Sequence, residues 1–143
     1  MRTSGTQRLY SVVVHDDAEK EIETLWETDE DTAAYIEAFL EEIQNDQRIL
    51  DSLTIKGHVD CPTVNFDVEE ILSQKKKKRN LWRIKIWEIE NRDGKLRIIY
   101  AFHPQELRYY ILGITPRDID YDERSPRFAK IINSYEKLGI PEY

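Results

Sequence analysis

The sequence is poor in cysteine, glycine and proline, and it has no long apolar segment. Of its 143 residues, one is a cysteine (Cys61), and glycine and proline occur five times each. A single cysteine excludes an intrachain disulfide and a cysteine-based zinc site. No apolar run approaches the ~18 residues of a membrane-spanning helix, and the first ten residues lack the apolar core of a signal peptide. We therefore expect a cytoplasmic protein without a membrane partner.

The apolar residues that are present suffice for one core. The hydrophobic fraction is 40%, and three Trp, eight Tyr and four Phe are available to fill an interior. This composition is typical of an ordered globular chain. The length fits one domain over residues 1–143 and leaves little room for a second.

The net charge of −7 hides an uneven distribution. Residues 1–50 contain 4 Lys/Arg and 13 Asp/Glu, whereas residues 75–100 contain 10 basic and 3 acidic side chains. Local fields matter more for binding a polyanion than the total charge does. The acidic half excludes a uniformly basic nucleic-acid binder, but the 75–100 region keeps polyanion binding open.

The N-terminal third has the pattern of a strand followed by two helices. A β-branched run at 10–14 predicts a short strand. Apolar residues then recur at helical spacing over 18–26 and again over 35–43. Because only residues 28–31 separate these two patterns, we expect an antiparallel helical hairpin.

Two further helices are predicted later in the chain. Apolar spacing indicates a short helix over 67–76. A longer C-terminal helix over 126–138 begins at Pro126 and is followed by Gly139, which are common start and stop signals.

Three strand-like runs lie between these helices, at 81–90, 96–102 and 107–114, joined by short turn sequences that require antiparallel neighbours. The fold class is therefore α+β. We expect a twisted antiparallel sheet of about four strands, with the helices packed on one face. Residues 51–66 have no clear period, and 51–80 form an extra segment that this layout does not need.

The most informative residues lie on the first of these strands. Arg83, Lys85 and Trp87 are two positions apart and are predicted to share one face of the strand, while Trp82 lies on the other. The next strand brings Arg97 beside them. Cations gathered on one surface repel one another unless an anion binds there, and a phosphate suits this arrangement.

At this point the sequence resembles the RelE/ParE toxin superfamily, including its HigB-like branch. The residues that carry the resemblance are Arg-Ile-Lys-Ile at 83–86, Gly-Lys-Leu-Arg-Ile-Ile-Tyr at 94–100, Tyr-Tyr-Ile-Leu-Gly-Ile at 109–114 and Arg117. The N-terminal strand and helical hairpin fit the same layout. Residues 51–80 are longer than the compact members of the family need.

The resemblance implies the toxin of a type II toxin-antitoxin system, which cleaves mRNA on the ribosome without a cofactor and is neutralised by an antitoxin protein. By position, the family's catalytic residues correspond to Arg83, Lys85, Arg97, Arg117 and Tyr121. The spacing between Arg117 and Tyr121 is shorter than in the RelE pattern, so Tyr135 or Tyr110 are alternatives for the last position.

RNA cleavage without a metal uses the 2′-hydroxyl as the nucleophile and needs a base, an acid and charge stabilisation at phosphorus. Arg97 suits the charge-stabilising task, and Lys85 is the candidate base. A tyrosine or His103 is the candidate acid. For substrate binding, Trp87 is placed to stack on a base. The basic cluster contributes three candidate phosphate contacts, Lys77, Lys78 and Arg79.

Two other functions remain open from the sequence. One is a ParE-type inhibitor that binds DNA gyrase through the same scaffold, and the other is a non-catalytic binding protein with this fold. For most of these residues the structural alternative is a solvated sheet face or a surface ion-pair network.

Overall fold

The computed structural model describes residues 9–60, 65–90, 95–116, 118–119 and 121–141. In chain order its elements are β1 (Ser11–Val14), α1 (Asp16–Thr28), α2 (Glu30–Gln44), α3 (Gln47–Ser52), β2 (Gly57–Asp60), β3 (Asn65–Glu70), α4 (Leu72–Lys75), β4 (Leu81–Ile86), α5 (Trp87–Glu90), β5 (Leu96–His103), β6 (Arg108–Pro116) and α6 (Pro126–Glu136).

The strands form one sheet with the order β1-β6-β5-β4-β3-β2. Strand β1 runs parallel to β6, and all other neighbours are antiparallel. The α+β class is confirmed. The expectation of about four antiparallel strands is wrong, because the extra segment folds as the hairpin β2–β3 and because β1 adds a parallel pair.

The helix predicted over 67–76 is also wrong. Residues 65–70 form β3, and only the single turn α4 is helical. Phe66 and Val68 alternate with polar residues and point into the core, so their true period is two. The helix was predicted from the spacing of Val68 and Ile71, but Ile71 lies beyond the end of the strand.

The N-terminal helices α1 and α2 pack together as predicted, with one residue, Asp29, between them. Asp29 ends α1 and caps α2, because its carboxylate accepts hydrogen bonds from the backbone N–H and the hydroxyl of Thr32. The third helix, α3, follows directly and is capped in the same way by Asp46. It was not predicted.

The main core lies between these helices and one face of the sheet. Its largest buried members are aromatic, and those on the strands alternate with residues of the opposite face. Tyr100 and Tyr109 donate their hydroxyl hydrogens to the carbonyls of Leu53 and Leu50, each at 2.5 Å. The sheet and the α3 region are therefore joined by apolar packing and by buried hydrogen bonds.

The C-terminal helix α6 packs on the opposite face of the sheet. Phe128, Ile131 and Ile132 form a second cluster with the β5 residues Ile99 and Ala101. The expectation that all helices lie on one face is therefore wrong, and the sheet is sandwiched. The helix ends where Gly139 takes a left-handed backbone conformation with φ of +67°, which favours glycine.

Where β1 ends, helix α1 covers the edge of β6. Val14 pairs with Ile111, and the β1 strand goes no further along β6. The carboxylate of Glu21 accepts the backbone N–H of Ile114 at 2.9 Å, so this edge amide is satisfied by a side chain. Partial burial raises the pKa of Glu21 despite this hydrogen bond and the nearby Arg127.

Candidate functional site

The three cations predicted to share a surface do share a face of the sheet. Arg83 and Lys85 alternate on β4 with Ile84 and Ile86, which belong to the main core. Lys85 and Arg97 are direct partners in the β4–β5 register. The side chains of Arg83, Lys85 and Arg97 therefore project on the α6 side of the sheet, and we call these three residues the cationic face.

Arg83 is held by an ion pair with the neighbouring strand. Its Nη2 lies 2.8 Å from Oε2 of Glu69, its register partner on β3. The Arg83 side chain is 25% exposed and that of Glu69 is 37% exposed, so both remain reachable from solvent. The carboxylate fixes the orientation of the guanidinium and also competes with any phosphate for its N–H groups.

Lys85 contacts an aromatic ring. Its Nζ lies 4.1 Å from the ring centroid of Trp87, which is within the range of a cation–π interaction. The prediction that Trp87 continues the strand is wrong, because the strand ends at Ile86 and Trp87 begins the turn α5. The ring is nevertheless 43% exposed beside Lys85, whereas Trp82 is buried in the core.

Arg97 is the most buried of the three cations, with 6% of its surface exposed. One of its Nη atoms donates to the carbonyl of Leu96 at 3.3 Å. Its register partner on β6 is Thr115, which is fully buried, and the Thr115 hydroxyl has no hydrogen-bond partner in the described part of the chain. The unsatisfied Thr115 hydroxyl is costly in a purely structural interior.

Tyr121 lies near the cationic face. Burial raises the pKa of its phenol, while Arg83 and Arg97 act in the opposite direction and Glu69 adds to the increase. Its ring packs edge-on against Phe128 at a centroid distance of 5.4 Å, which ties the segment before α6 to that helix. Arg117, the remaining predicted catalytic residue, lies outside the described residues.

The basic cluster is occupied by carboxylates near α6. Lys77 and Arg79 both pair with Glu123, and Arg79 also pairs with Glu136 at 3.0 Å. Lys78 is exposed, in a left-handed backbone conformation with φ of 60°. These residues precede β4, and Lys85 lies about 13 Å further along the strand than its first residue. The cluster is therefore at the other end of the strand from the Lys85–Arg97 pair.

The two alternative tyrosines and the candidate histidine have structural contacts. The Tyr135 hydroxyl accepts the backbone N–H of Asn80 at 2.8 Å, and the Tyr110 hydroxyl donates to Glu106 at 3.0 Å. His103 is 7% exposed at the far end of β5, where it pairs with Arg108.

Sequence reasoning missed two residues, His58 and Asp67, that lie beside the cationic face on the same side of the sheet. His58 on β2 pairs in register with Asp67 on β3, and their side chains are joined by a 2.8 Å contact between Nδ1 and Oδ1. Asp67 is in turn the register partner of Lys85. A row of side chains therefore crosses five strands, in the order His58, Asp67, Lys85, Arg97 and Thr115.

The signal for this row was present in the sequence but weak. His58 and Asp67 are equally spaced around residues 61–64, as expected of a hairpin, and Pro62 is a common turn residue. The residues on either side of 61–64 show no clear period, so the sequence alone does not predict the pairing of His58 with Asp67. That pairing depends on β4, which is the neighbour of β3 in the sheet.

Within the described residues, clusters of metal-binding side chains and membrane-spanning helices are both absent. No group of three or more His, Cys, Asp or Glu side chains there is arranged to hold a metal ion. No helix in the same residues has the length and apolar character needed to cross a membrane.

The chain was compared with known proteins in three ways. No protein-family model, no curated protein and no solved structure matches it.

Proposed function

We propose that this chain is a RelE-type endoribonuclease, the toxin of a type II toxin-antitoxin system, and that it cleaves mRNA on the ribosome without a metal ion. The observation that carries the proposal is the cationic face, in which Lys85 and Arg97 are register partners and Arg83 lies on the same surface. The resemblance of these strands to the RelE/ParE superfamily is the second support.

The chemistry assigns a task to each group. Arg83 and Arg97 are permanently charged and fork-shaped, so they bind the phosphate and stabilise the extra negative charge that develops at phosphorus. Lys85 transfers a proton, and the exposed ring of Trp87 stacks on a neighbouring base. Tyr121, whose pKa both arginines act to lower, is the candidate for a further contact to the same phosphate.

The ion pair between Arg83 and Glu69 is compatible with this role. A phosphate that binds Arg83 takes the place of the Glu69 carboxylate, so the guanidinium exchanges one anionic partner for another. Losing the Glu69 contact lowers the net affinity for RNA relative to an unpaired arginine. Before substrate arrives, however, the ion pair holds the Arg83 side chain in one orientation.

An antitoxin partner and a cytoplasmic location belong to the same proposal. A toxin with this activity has to be neutralised in the cell that makes it. Both remaining alternatives, gyrase inhibition and simple binding, use the same scaffold without cleavage.

Induction in bacterial cells tests the proposal. The wild-type chain should arrest growth and stop translation, whereas the double variant Lys85→Gln, Arg97→Met should permit growth. Arg97→Met keeps the side-chain volume at this buried position, and circular dichroism of the purified variant checks that it folds. The matched control is Arg48→Gln, which removes a cation that is 93% exposed on α3, and it should remain toxic.

Each other outcome has a definite meaning. Growth arrest with continued translation and damaged DNA would contradict the nuclease and favour gyrase inhibition. Normal growth with the wild-type chain at high expression would favour the non-catalytic binding protein.

The chemical mechanism is tested on the RNA product. Attack by the 2′-hydroxyl leaves a 2′,3′-cyclic phosphate on one fragment and a 5′-hydroxyl on the other. A substrate with a 2′-deoxy sugar at the cleaved position should resist cleavage. Products with 5′-phosphate ends would overturn attack by the 2′-hydroxyl, since they require the bond between phosphorus and the 3′-oxygen to break.

A further inference from the structure

The row across the sheet contains a histidine and an aspartate that the proposed function does not yet use. His58 and Asp67 lie on the same face as the cationic face, because Phe66 and Val68, their neighbours in the β2–β3 register, point into the main core on the other side. His58 is separated from Lys85 by one strand, so their backbones are roughly 10 Å apart across the sheet.

The orientation of the imidazole is fixed by one contact. Nδ1 of His58 lies 2.8 Å from the Asp67 carboxylate, and a carboxylate can only accept a hydrogen bond, so Nδ1 carries the hydrogen. The other ring nitrogen, Nε2, is then an acceptor in the neutral ring. The His58 side chain is 49% exposed, so the imidazole is open to solvent on the sheet surface.

Lys85 has the complementary character. Its ammonium carries three N–H donors and no acceptor, and its Nζ lies 4.1 Å from the centroid of the Trp87 ring. Asp67 is its register partner on β3. The row therefore offers a proton acceptor at His58 and a proton donor at Lys85, on either side of Asp67.

We propose that His58 is the general base and Lys85 the general acid of the RNA cleavage, with Asp67 as the positioning residue that holds the imidazole. This inference rests on the proposed function. It reverses the role expected for Lys85 from the sequence and gives the β2–β3 hairpin a catalytic purpose.

The step balances without a co-reactant. Nε2 of His58 takes the proton of the 2′-hydroxyl, and the 2′-oxygen forms a bond to phosphorus. The bond between phosphorus and the 5′-oxygen breaks, and that oxygen receives a proton from the Lys85 ammonium. Arg97 and Arg83 stabilise the charge on the non-bridging oxygens, and Asp67 stabilises the imidazolium that forms. Solvent then returns both groups to their starting states.

The test separates the base from the acid with a modified RNA. A substrate with sulfur in place of the 5′-bridging oxygen has a leaving group that needs no protonation. With ordinary RNA, His58→Gln and Lys85→Gln should each slow cleavage by about 100-fold or more. With the sulfur substrate, Lys85→Gln should recover to near the wild-type rate, whereas His58→Gln should remain slow.

Two further variants complete the experiment. His15→Gln makes the same chemical change at a partly exposed histidine that lies beside Asp17 and outside the row, and it should leave the cleavage rate near that of the wild type. Asp67→Asn keeps the size of the side chain but removes its charge. It should slow cleavage less than His58→Gln does, and it should not be rescued by the sulfur substrate.

Binding of RNA to His58→Gln, measured by fluorescence anisotropy, should stay close to that of the wild type. Unchanged cleavage by His58→Gln would overturn the inference and leave the proposed nuclease standing. Rescue of His58→Gln by the sulfur substrate would also overturn it, because His58 would then be the acid. A wild-type chain that cleaves neither substrate would instead refute the proposed function itself.

Discussion

The two faces of the same sheet differ in what their strands present. On the face covered by α1, α2 and α3, the alternating residues of β3 to β6 are apolar or aromatic. On the α6 face, apolar residues of β5 and β6 pack under the helix, but β2 to β5 carry the charged row from His58 to Arg97. Strand alternation produces both faces from the same sequence, since every second residue changes side.

This difference indicates a division of tasks within the sheet. An apolar face stabilises the fold through burial, and its residues are costly to replace. A row of charged groups on a sheet adds little stability, because partly exposed ion pairs contribute little. We propose that the charged row serves binding or chemistry rather than folding, and the following predictions test that contrast, starting with the largest expected effect.

The two neighbouring tryptophans give the strongest contrast. Trp82→Ala should lower the free energy of unfolding by about 3–5 kcal/mol, because the ring is 2% exposed and its Nε1 donates to Asn80 at 2.6 Å. Trp87→Ala should lower it by less than about 1 kcal/mol. Urea unfolding of both variants checks this. Similar losses at both positions would remove the distinction between the two faces.

RNA binding should depend on the cationic face alone. Arg83→Gln should reduce the salt dependence of binding to single-stranded RNA by about 0.7 in the slope of log K against log salt, as expected for one lost phosphate contact. Arg48→Gln, on the acidic half of the chain, should leave the slope unchanged. Titrations by fluorescence anisotropy at several salt concentrations measure both slopes. Equal slopes for wild type and Arg83→Gln would show that Glu69 retains the guanidinium.

The contact between helix α1 and strand β6 should be sensitive to pH through Glu21. Its pKa in the folded chain is raised above the ordinary value of 4.5, first by burial, so the folded state holds this proton more tightly than the unfolded state does. The resulting stabilisation is present below that ordinary value and is lost as pH rises through the raised one.

Glu21→Gln keeps an oxygen acceptor for the Ile114 amide but cannot titrate. As pH rises from the acidic range to neutral, the stability of the wild type should therefore decline relative to that of Glu21→Gln. Denaturant unfolding of both chains across this range measures the difference. A difference that does not change with pH would contradict the raised pKa.

The smallest effect concerns the placement of Tyr121 and needs no RNA. Arg97 lowers the pKa of this phenol, although burial raises it overall. Arg97→Met removes a favourable cation, so the pKa of Tyr121 should rise further. NMR titration of tyrosine-labelled protein, with Tyr121→Phe to assign the signal, measures the change. An unchanged pKa would place Tyr121 outside the electrostatic reach of Arg97.

Much of the fold was predictable because its periods are unambiguous. The apolar spacing of α1 and α2, the alternation in β4 and the start of α6 at Pro126 were predicted correctly from the sequence. The β2–β3 hairpin was missed because β2 has four residues and β3 has six, too short for a period to stand out from chance. Such strands form because β4 offers an edge to pair with, which the local sequence does not reveal.

The candidate site divides in the same way. Local alternation alone placed Arg83 and Lys85 on one face, and the short turns between strands were enough to bring Arg97 beside them. The pairing of Lys85 with Arg97, the carboxylate of Glu69 against Arg83 and the approach of Tyr121 all depend on register and on the path of the chain into α6. None of these contacts is encoded within a single segment.

By itself, the sequence determined helices α1, α2 and α6, the central antiparallel strands and the side of the sheet that carries the cations, because these follow from the period of each segment. Only the tertiary structure decided that the sheet has six strands, that α6 covers its second face, and that His58 and Asp67 lie in line with Lys85. The physical reason is that sheet register joins residues distant in sequence, and the cost of a wrong register is felt only when the neighbouring strand is in place.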